Sequence, residues 1–371
     1  MKKLIQILSL SILSFFFFVS CKSTPSVDTN QNSSVLISQQ SVAKSENEIS
    51  IMTYNVENLF DTQHDEGTED FSYLPLKDKN QKKVQDYCKS VKNNFYRKQC
   101  FEFDWSDEAL EAKMRNLNHV IRFTDQGRGP DNIMLTEVEN LRVLKQFVNG
   151  PLSDLGYKTV VLIEGPDLRG IDPAFISKFP QVGKEKLHLI PYKDKNPEQL
   201  KWAKRSRGIL EVVVKAPNGK NITFLTAHFP SQSNPTEWRA QAIDFAKNLM
   251  LKYQKQGRAV VFGGDLNIIA SEEETHGYFK NQMTQAGQVS HLVGCKHCVG
   301  SYNYKGTWSF LDILVFSNNL KTVGFELIPD SIQIVKTSMN TDTQGSPKRF
   351  DSIEKSGAAD HFPLYARIKY F

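Results

Sequence analysis

Residues 50–56 alternate apolar and polar side chains, with β-branched Ile51 and Thr53, and predict a first strand that ends at 55–58. Leu110, Met114, Leu117 and Ile121 follow at spacings of four, three and four, which places one apolar stripe on a helix ending by Gly127 to Pro130. Residues 132–136 read as a short buried strand, and Leu141, Leu144 and Phe147 carry a second helical stripe. Strands are predicted at 158–163 and 174–179, and a hairpin at 209–214 and 222–227, whose turn is Pro217-Asn218-Gly219. A helix over 238–253, with Ala242, Phe245, Ala246 and Leu249 on one face, is followed by strands at 259–262, 308–315 and 364–371. Strands and helices mix throughout, without a repeat. This predicts an α/β fold: a four-layer α/β/β/α sandwich of two packed mixed, largely antiparallel sheets with helices outside. No Gly-x-Gly-x-x-Gly follows a strand, which argues against a dinucleotide-binding fold.

The amino-terminal region departs from this pattern. Lys2 and Lys3 precede an apolar run over 4–19 that ends in Ser20 and Cys21, so 1–21 reads as a signal peptide. Phe18-Val19-Ser20-Cys21 resembles the bacterial lipoprotein signal, with Phe18 where that pattern prefers leucine. The resemblance implies lipidation of Cys21, export and a lipid anchor on the outer side of a bacterial membrane. Residues 22–48 are rich in Ser, Thr, Asn, Gln and Lys and read as a flexible polar tether, leaving 49–371 for one folded domain. With 40% hydrophobic and 23% charged residues the chain is of ordinary globular composition, and a net charge of +5 is too small to select a partner.

Beyond Cys21 four cysteines remain. Two local disulfides, Cys88–Cys100 and Cys295–Cys298, are the simplest reading in an oxidising compartment, and a zinc site at Cys295-Lys296-His297-Cys298 is the rival. A basic insertion at about 71–105 carries Lys77, Lys79, Lys82, Lys83, Lys89, Lys92, Arg97 and Lys98 against Asp78 and Asp86, interleaved with Tyr73, Tyr87, Phe95 and Tyr96. Such a segment either stacks bases and meets phosphates or is a solvated flap.

The polar residues at strand ends carry the chemistry. Asn55, Glu137, His228, Asp265 with Asn267, Asp312, and Asp360 with His361 each stand at or near the end of a predicted strand. If these ends converge they offer carboxylates and amides for magnesium, and imidazoles that exchange protons near neutral pH.

In order, Tyr54-Asn55-Val56-Glu57-Asn58, Leu135-Thr136-Glu137-Val138, His228-Phe229-Pro230-Ser231, Gly264-Asp265-Leu266-Asn267, Leu311-Asp312-Ile313-Leu314 and Asp360-His361-Phe362-Pro363 resemble the motifs of the endonuclease/exonuclease/phosphatase, or deoxyribonuclease I-like, superfamily. The resemblance implies a hydrolase in which Mg2+, with Mn2+ or Ca2+ as alternatives, is held by Glu137, Asn55 and Asp360, with Glu57 as an extra ligand. It implies that Asp265 and Asn267 orient the attacking water and a phosphate oxygen, that His361 acts as base or electrostatic partner oriented by Asp312, and that His228 is a general acid. Asp172 is the candidate carboxylate behind His228, while Arg169 and Arg239 are candidate phosphate contacts. The expected activity is an exported, membrane-tethered nuclease with nucleic acid as substrate. A sphingomyelinase or other phospholipid hydrolase shares all of these motifs, and a binding lipoprotein without catalysis is the reading of another class. No protein partner is implied.

Overall fold

A computed structural model describes residues 44–371. The expected signal, Cys21 and most of the expected tether lie outside the described residues. The tether's last residues belong to the folded unit: Lys44 pairs with Asp131, and the Tyr370 hydroxyl donates to the Glu46 carbonyl at 2.9 Å.

The chain opens with β1 (Glu48–Leu59), β2 (Asn132–Val138), β3 (Thr159–Leu162) and β4 (Asp172–Ser177). It continues through β5 (Lys186–His188), β6 (Ile209–Lys215), β7 (Asn221–His228), β8 (Ala259–Asp265) and β9 (Gly287–Val289). A small hairpin of β10 (Tyr302–Tyr304) and β11 (Thr307–Ser309) precedes β12 (Asp312–Ser317), β13 (Phe325–Ile334) and β14 (Leu364–Tyr370). One six-stranded sheet runs β13-β14-β1-β2-β4-β3 and the other β5-β6-β7-β8-β12-β9. Only β1–β2 and β7–β8 pair in parallel, so the sheets are mixed and largely antiparallel.

Alternation along each strand sorts the side chains into three apolar layers. Ile49 and Ile51 of β1 face Phe224, Val261 and Leu314 of the other sheet, forming the core between the sheets. Met52, Tyr54 and Val56 point the opposite way, onto a helix whose stripe includes Leu110, Met114 and Leu117. On the far side, Leu225, Val260 and Phe262 pack against Ala242, Ala246 and Leu249 of a second helix. Both faces of each sheet are therefore buried, and the four-layer sandwich follows.

The helices are α1 (Lys82–Ser90), α2 (Asn94–Glu102), α3 (Asp107–Arg122), α4 (Leu141–Asn149), α5 (Pro197–Ala203) and α6 (Thr236–Lys255), with shorter ones beyond. Ser106 caps α3 by accepting from the Ala109 amide, and the helix ends at Arg122, before the predicted glycine and proline. The predicted strand over 308–315 is two strands, because the chain leaves the hairpin at Ser309 and joins the second sheet at Asp312. The β13 strand escapes the alternation rule: Pro329 and Asp330 fall inside it, where its pairing with β14 shifts register.

The basic insertion is a pair of helices, α1 and α2, joined by Cys88–Cys100 over a small core of Phe71, Leu74 and Val84. It is less of a basic face than its composition suggests. Lys79 is buried and donates to the Ser72 and Cys100 carbonyls, Lys82 pairs with Asp86, and Lys83 meets His64. Tyr73 stacks inward on Phe60 and Tyr87 packs on Phe71, leaving Phe95 and Tyr96 exposed. Cys295 and Cys298 are joined as a disulfide, which answers the zinc alternative.

Strands β7 and β8 approach so closely that no side chain fits between them at Gly264. Its φ is +137°, and a Cβ there would lie 1.8 Å from the Ala227 carbonyl oxygen. Gly264→Ala should therefore cost more than about 4 kcal/mol, the range of exceptional single substitutions. A urea melt within 1 kcal/mol of wild type, on the order of an ordinary substitution, would overturn this packing account.

Candidate active site

The register of the second sheet puts three polar residues in one row: His228 opposite Asp265 across β7–β8, and Asp265 opposite Asp312 across β8–β12. The first sheet brings Asn55 at the end of β1 and Glu137 near the end of β2, and the turn into β14 supplies Asp360 and His361. The two sheets meet through Asn55. Its side-chain amide donates to Asp265 Oδ2 at 2.9 Å and Glu137 Oε1 at 3.3 Å, and its backbone amide donates to Asp312 Oδ1 at 3.2 Å. The structure thus assembles the strand-end residues that the sequence singled out.

The backbone bends sharply where these side chains enter. Glu57, Asn58, Glu137 and Asn267 all have positive φ, between 50° and 64°, a conformation costly for residues with a Cβ. Hydrogen bonds hold them there. Asn58 N donates to Glu137 Oε2 (3.1 Å), Glu57 N to Asn55 Oδ1 (2.9 Å), and Asn267 N to Asp265 Oδ1 (3.0 Å). The Asn267 side chain also donates to the Phe229 carbonyl at 3.1 Å, tying the loop after β8 to the loop after β7.

The two histidines differ electrically. His361 Nδ1 lies 2.6 Å from Asp312 Oδ2, and its Nε2 is 3.9 Å from both Asp265 and Asp360. Burial alone would depress its pKa, but Asp312, Asp265 and Asp360 outweigh it and hold the pKa well above 6.5. His228 is equally enclosed but lies close to Arg207, Arg169 and His361; burial first, then these cations, pushes its pKa well below 6.5. Its Nε2 is 3.5 Å from Asp265 Oδ2 and 3.9 Å from Glu137 Oε1, and its Nδ1 has no hydrogen-bond partner. Asp265 itself is pushed up to about 6, by burial first, with Asp312 and Glu137 adding to it against the pull of His361 and Asn55.

Three expectations need correction. Asp172 is buried but accepts from Gly165 N at 2.9 Å, so it does not stand behind His228. Arg239 is 1% exposed and its guanidinium is fully engaged: it bonds Glu272 at 2.8 Å, the Ser231 and Asn234 carbonyls, Gln232 and Thr236. It buckles the loop after His228 to the helix Ala270–His276 and is not placed for a phosphate. Glu57 is bonded away from Glu137, to Phe350 N at 3.2 Å and Arg349 at 3.0 Å. Arg169, by contrast, is exposed at the rim and donates to Asn58 Oδ1 at 3.1 Å.

Other residues enter unannounced. Ser301 Oγ accepts from Leu311 N and Asp312 N at 3.1 and 3.0 Å, while its carbonyl accepts from Phe362 N at 2.8 Å. One buried serine therefore positions both members of the Asp312–His361 pair. Lys113 of α3 is buried and donates to the Ala358 carbonyl at 2.6 Å. Its signal was visible: Lys113 stands three residues after Leu110 and four before Leu117, on the apolar stripe.

Residues 90–370 match the family described as the Endonuclease/Exonuclease/phosphatase family. The chain belongs to this family. The description of the endonuclease/exonuclease/phosphatase family names three kinds of phosphoester hydrolase. A search of curated proteins gives no match. Among solved structures, an endonuclease/exonuclease/phosphatase family protein from Bacteroides thetaiotaomicron is similar at 13% identity and TM-score 0.54, covering 87% of this chain and 98% of that one. The TDP2 of D. rerio, solved with a single-strand DNA product, is similar at 14% identity and TM-score 0.50, over 87% and 99%. The mannosyl-6-phosphatase Bt3783 of B. thetaiotaomicron is similar at 13% identity and TM-score 0.51, over 87% and 100%. These likenesses establish a shared fold.

The His361 environment is directly measurable. Below pH 6.5, on the order of the unfolded value, both states carry the proton and the pair's stabilisation is complete; it is lost as pH rises through the raised folded value. By NMR titration His361 should hold its proton to higher pH than a free imidazole, and Asp312→Asn should lower its pKa. An unchanged titration in Asp312→Asn would remove Asp312 from this role.

Proposed function

We propose that this protein is a divalent-metal-dependent phosphodiester hydrolase acting on nucleic acid, exported and held to a membrane by a lipid on Cys21. The convergence of Asn55, Glu137, Asp265, Asp312, Asp360 and both histidines at one end of the paired sheets supports the hydrolase reading. The exposed Arg169 at the rim, and the exposed Phe95 and Tyr96 on the insertion, favour a nucleic acid strand over a bare phosphate.

The donor set fits a hard divalent cation. Glu137 receives two amide donors, and its ion partner His228 stands at 3.9 Å, beyond hydrogen-bonding distance. Magnesium is commonly bound by one or two carboxylates plus water, which a site built on Glu137 and an amide oxygen suits. Glu137 and the Asn55 side-chain oxygen would hold it, with Asp265 and Asp360 adding negative potential nearby. When bound, the ion would offset charge on the attacked phosphate.

The chain's own groups do the rest. Asp265 accepts the proton of the attacking water, and the cationic His361, fixed by Asp312, stabilises the charge that builds on the phosphate oxygens. Asn267 holds the turn that aims Asp265. His228 meets the leaving oxygen; being neutral in the resting site, it gains its proton as the anionic substrate arrives and delivers it as the bond breaks.

The purified protein should hydrolyse DNA or RNA with magnesium, in preference to sphingomyelin or sugar phosphates. Glu137→Gln should lower the rate strongly, with partial rescue by excess magnesium. His228→Ala should lose about 10²- to 10⁴-fold on a nucleotide diester, and less on its nitrophenyl ester, whose leaving group needs no proton. Equal losses on the two esters would take the acid role from His228, and full activity of Glu137→Gln without metal would end the metal reading. Preference for a sugar phosphate would replace the nuclease reading with a phosphatase.

The anchor is tested separately. Cys21→Ala should move the protein from the membrane fraction to the soluble fraction, since the lipid on Cys21 is the proposed attachment. Retention with lipid would refute lipidation at Cys21.

A further inference from the structure

Beside the Glu137 end of the site lies a second pair of carboxylates, Glu57 and Asp360, already bridged by a cation of the protein's own. Arg349 Nη1 is 3.0 Å from Glu57 Oε1, and its Nη2 is 2.5 Å from Asp360 Oδ2. The other Glu57 oxygen accepts from Phe350 N at 3.2 Å, so neighbouring residues of one segment occupy both oxygens.

This segment is a built feature. Asp351 N donates to the Ser356 carbonyl at 2.8 Å and Ala358 N to the Lys348 carbonyl at 2.9 Å, folding it into a hairpin. Gly357, with φ +79°, lets the hairpin's limbs close, since a Cβ there would lie 1.9 Å from the Arg349 carbonyl oxygen. Helix α3 clamps the returning limb: Asn116 donates to the Lys355 and Gly357 carbonyls at 3.1 and 2.7 Å, and Lys113 to the Ala358 carbonyl. The charged head of Arg349 is thus carried to the two carboxylates by backbone that is fixed on both sides.

We infer that Arg349 is a built-in counter-cation that fills the place a second divalent ion would take between Glu57 and Asp360, so that the site holds one metal ion, at Glu137. A guanidinium offers two parallel N–H donors to two carboxylates at once, which a single lysine ammonium does with poorer geometry. It also supplies its charge permanently, whereas a divalent ion in that position would come and go with its free concentration. The inference rests on the proposed metal at Glu137 and assigns the neighbouring carboxylates a different task.

Counting bound Mn2+ by electron paramagnetic resonance of the free ion tests it without an activity assay. Wild type should bind one Mn2+ per chain, abolished or weakened at least tenfold in Glu137→Gln. Arg349→Ala should acquire a second, weaker Mn2+ that disappears again when Glu57→Gln is added. Arg349 is largely exposed, so the variant should fold; Arg349→Gln, closer in size, repeats the count if it does not. Two ions in wild type, one of them lost in Glu57→Gln, would overturn the inference, as would a single ion in both Arg349 variants. No ion in wild type would instead overturn the metal reading of Glu137, and this inference with it.

Discussion

The contact on which the site depends is the bond between Asn55 and the carboxylates of the opposite sheet. Two sheets packed through Ile49, Ile51, Phe224, Val261 and Leu314 exclude water between them, so polar groups that enter this layer must find partners within it. Asn55 does so at the point where the apolar layer ends, bonding Asp265 and Asp312 from one sheet and Glu137 from its own. Its amide links residues more than two hundred positions apart in sequence, and every other site residue is placed relative to that link. The strain of four positive-φ residues is concentrated around it, where the apolar layer behind is rigid enough to carry it.

A second organising fact is electrical. Two buried imidazoles in one site shift in opposite directions: the carboxylates around His361 outweigh its burial, whereas at His228 burial dominates and Arg207, Arg169 and His361 add to it. Identical side chains thereby favour different protonation states. Part of this asymmetry is written in the sequence, since Asp360 precedes His361, and the rest comes from Asp312 and Asp265, which the fold brings to that ring.

Much of the fold was legible because burial on both faces of a sheet leaves a strong local mark. The strands carrying Ile51, Met134, Phe224 and Val261, and the stripes on α3, α4 and α6, stand close to where alternation and helical spacing put them. The row of strand-end polar residues was legible because such residues interrupt apolar runs. Partnerships between distant segments were not legible. The family resemblance puts Asp172 behind His228, but its carboxylate turns to Gly165. Arg239 has the composition of a phosphate contact and the surroundings of a structural buckle, and only the carbonyls of Ser231 and Asn234 reveal which. Arg349 and Ser301 lie in segments without periodicity, and their roles come from a hairpin and a turn that local sequence does not specify. The basic insertion stays open in sequence for a related reason: composition counts charges, whereas the field depends on which of them find partners, as Lys79 and Lys82 do.

The antiparallel pairing of β1 with β14 also fixes a direction in space. Glu48 pairs with Lys369 at one end of these strands, and Thr53 with Leu364 towards the other, so both ends of the folded unit leave on the side away from Asn55 and His361. Seven residues of extended β1 separate Glu48 from Asn55, roughly 23 Å at about 3.3 Å per residue. The point at which the chain enters the folded unit is therefore set apart from Asn55 and His361, as a handle is from the working end of a tool. Large or flexible molecules could then reach the mouth of the sandwich without first passing that point.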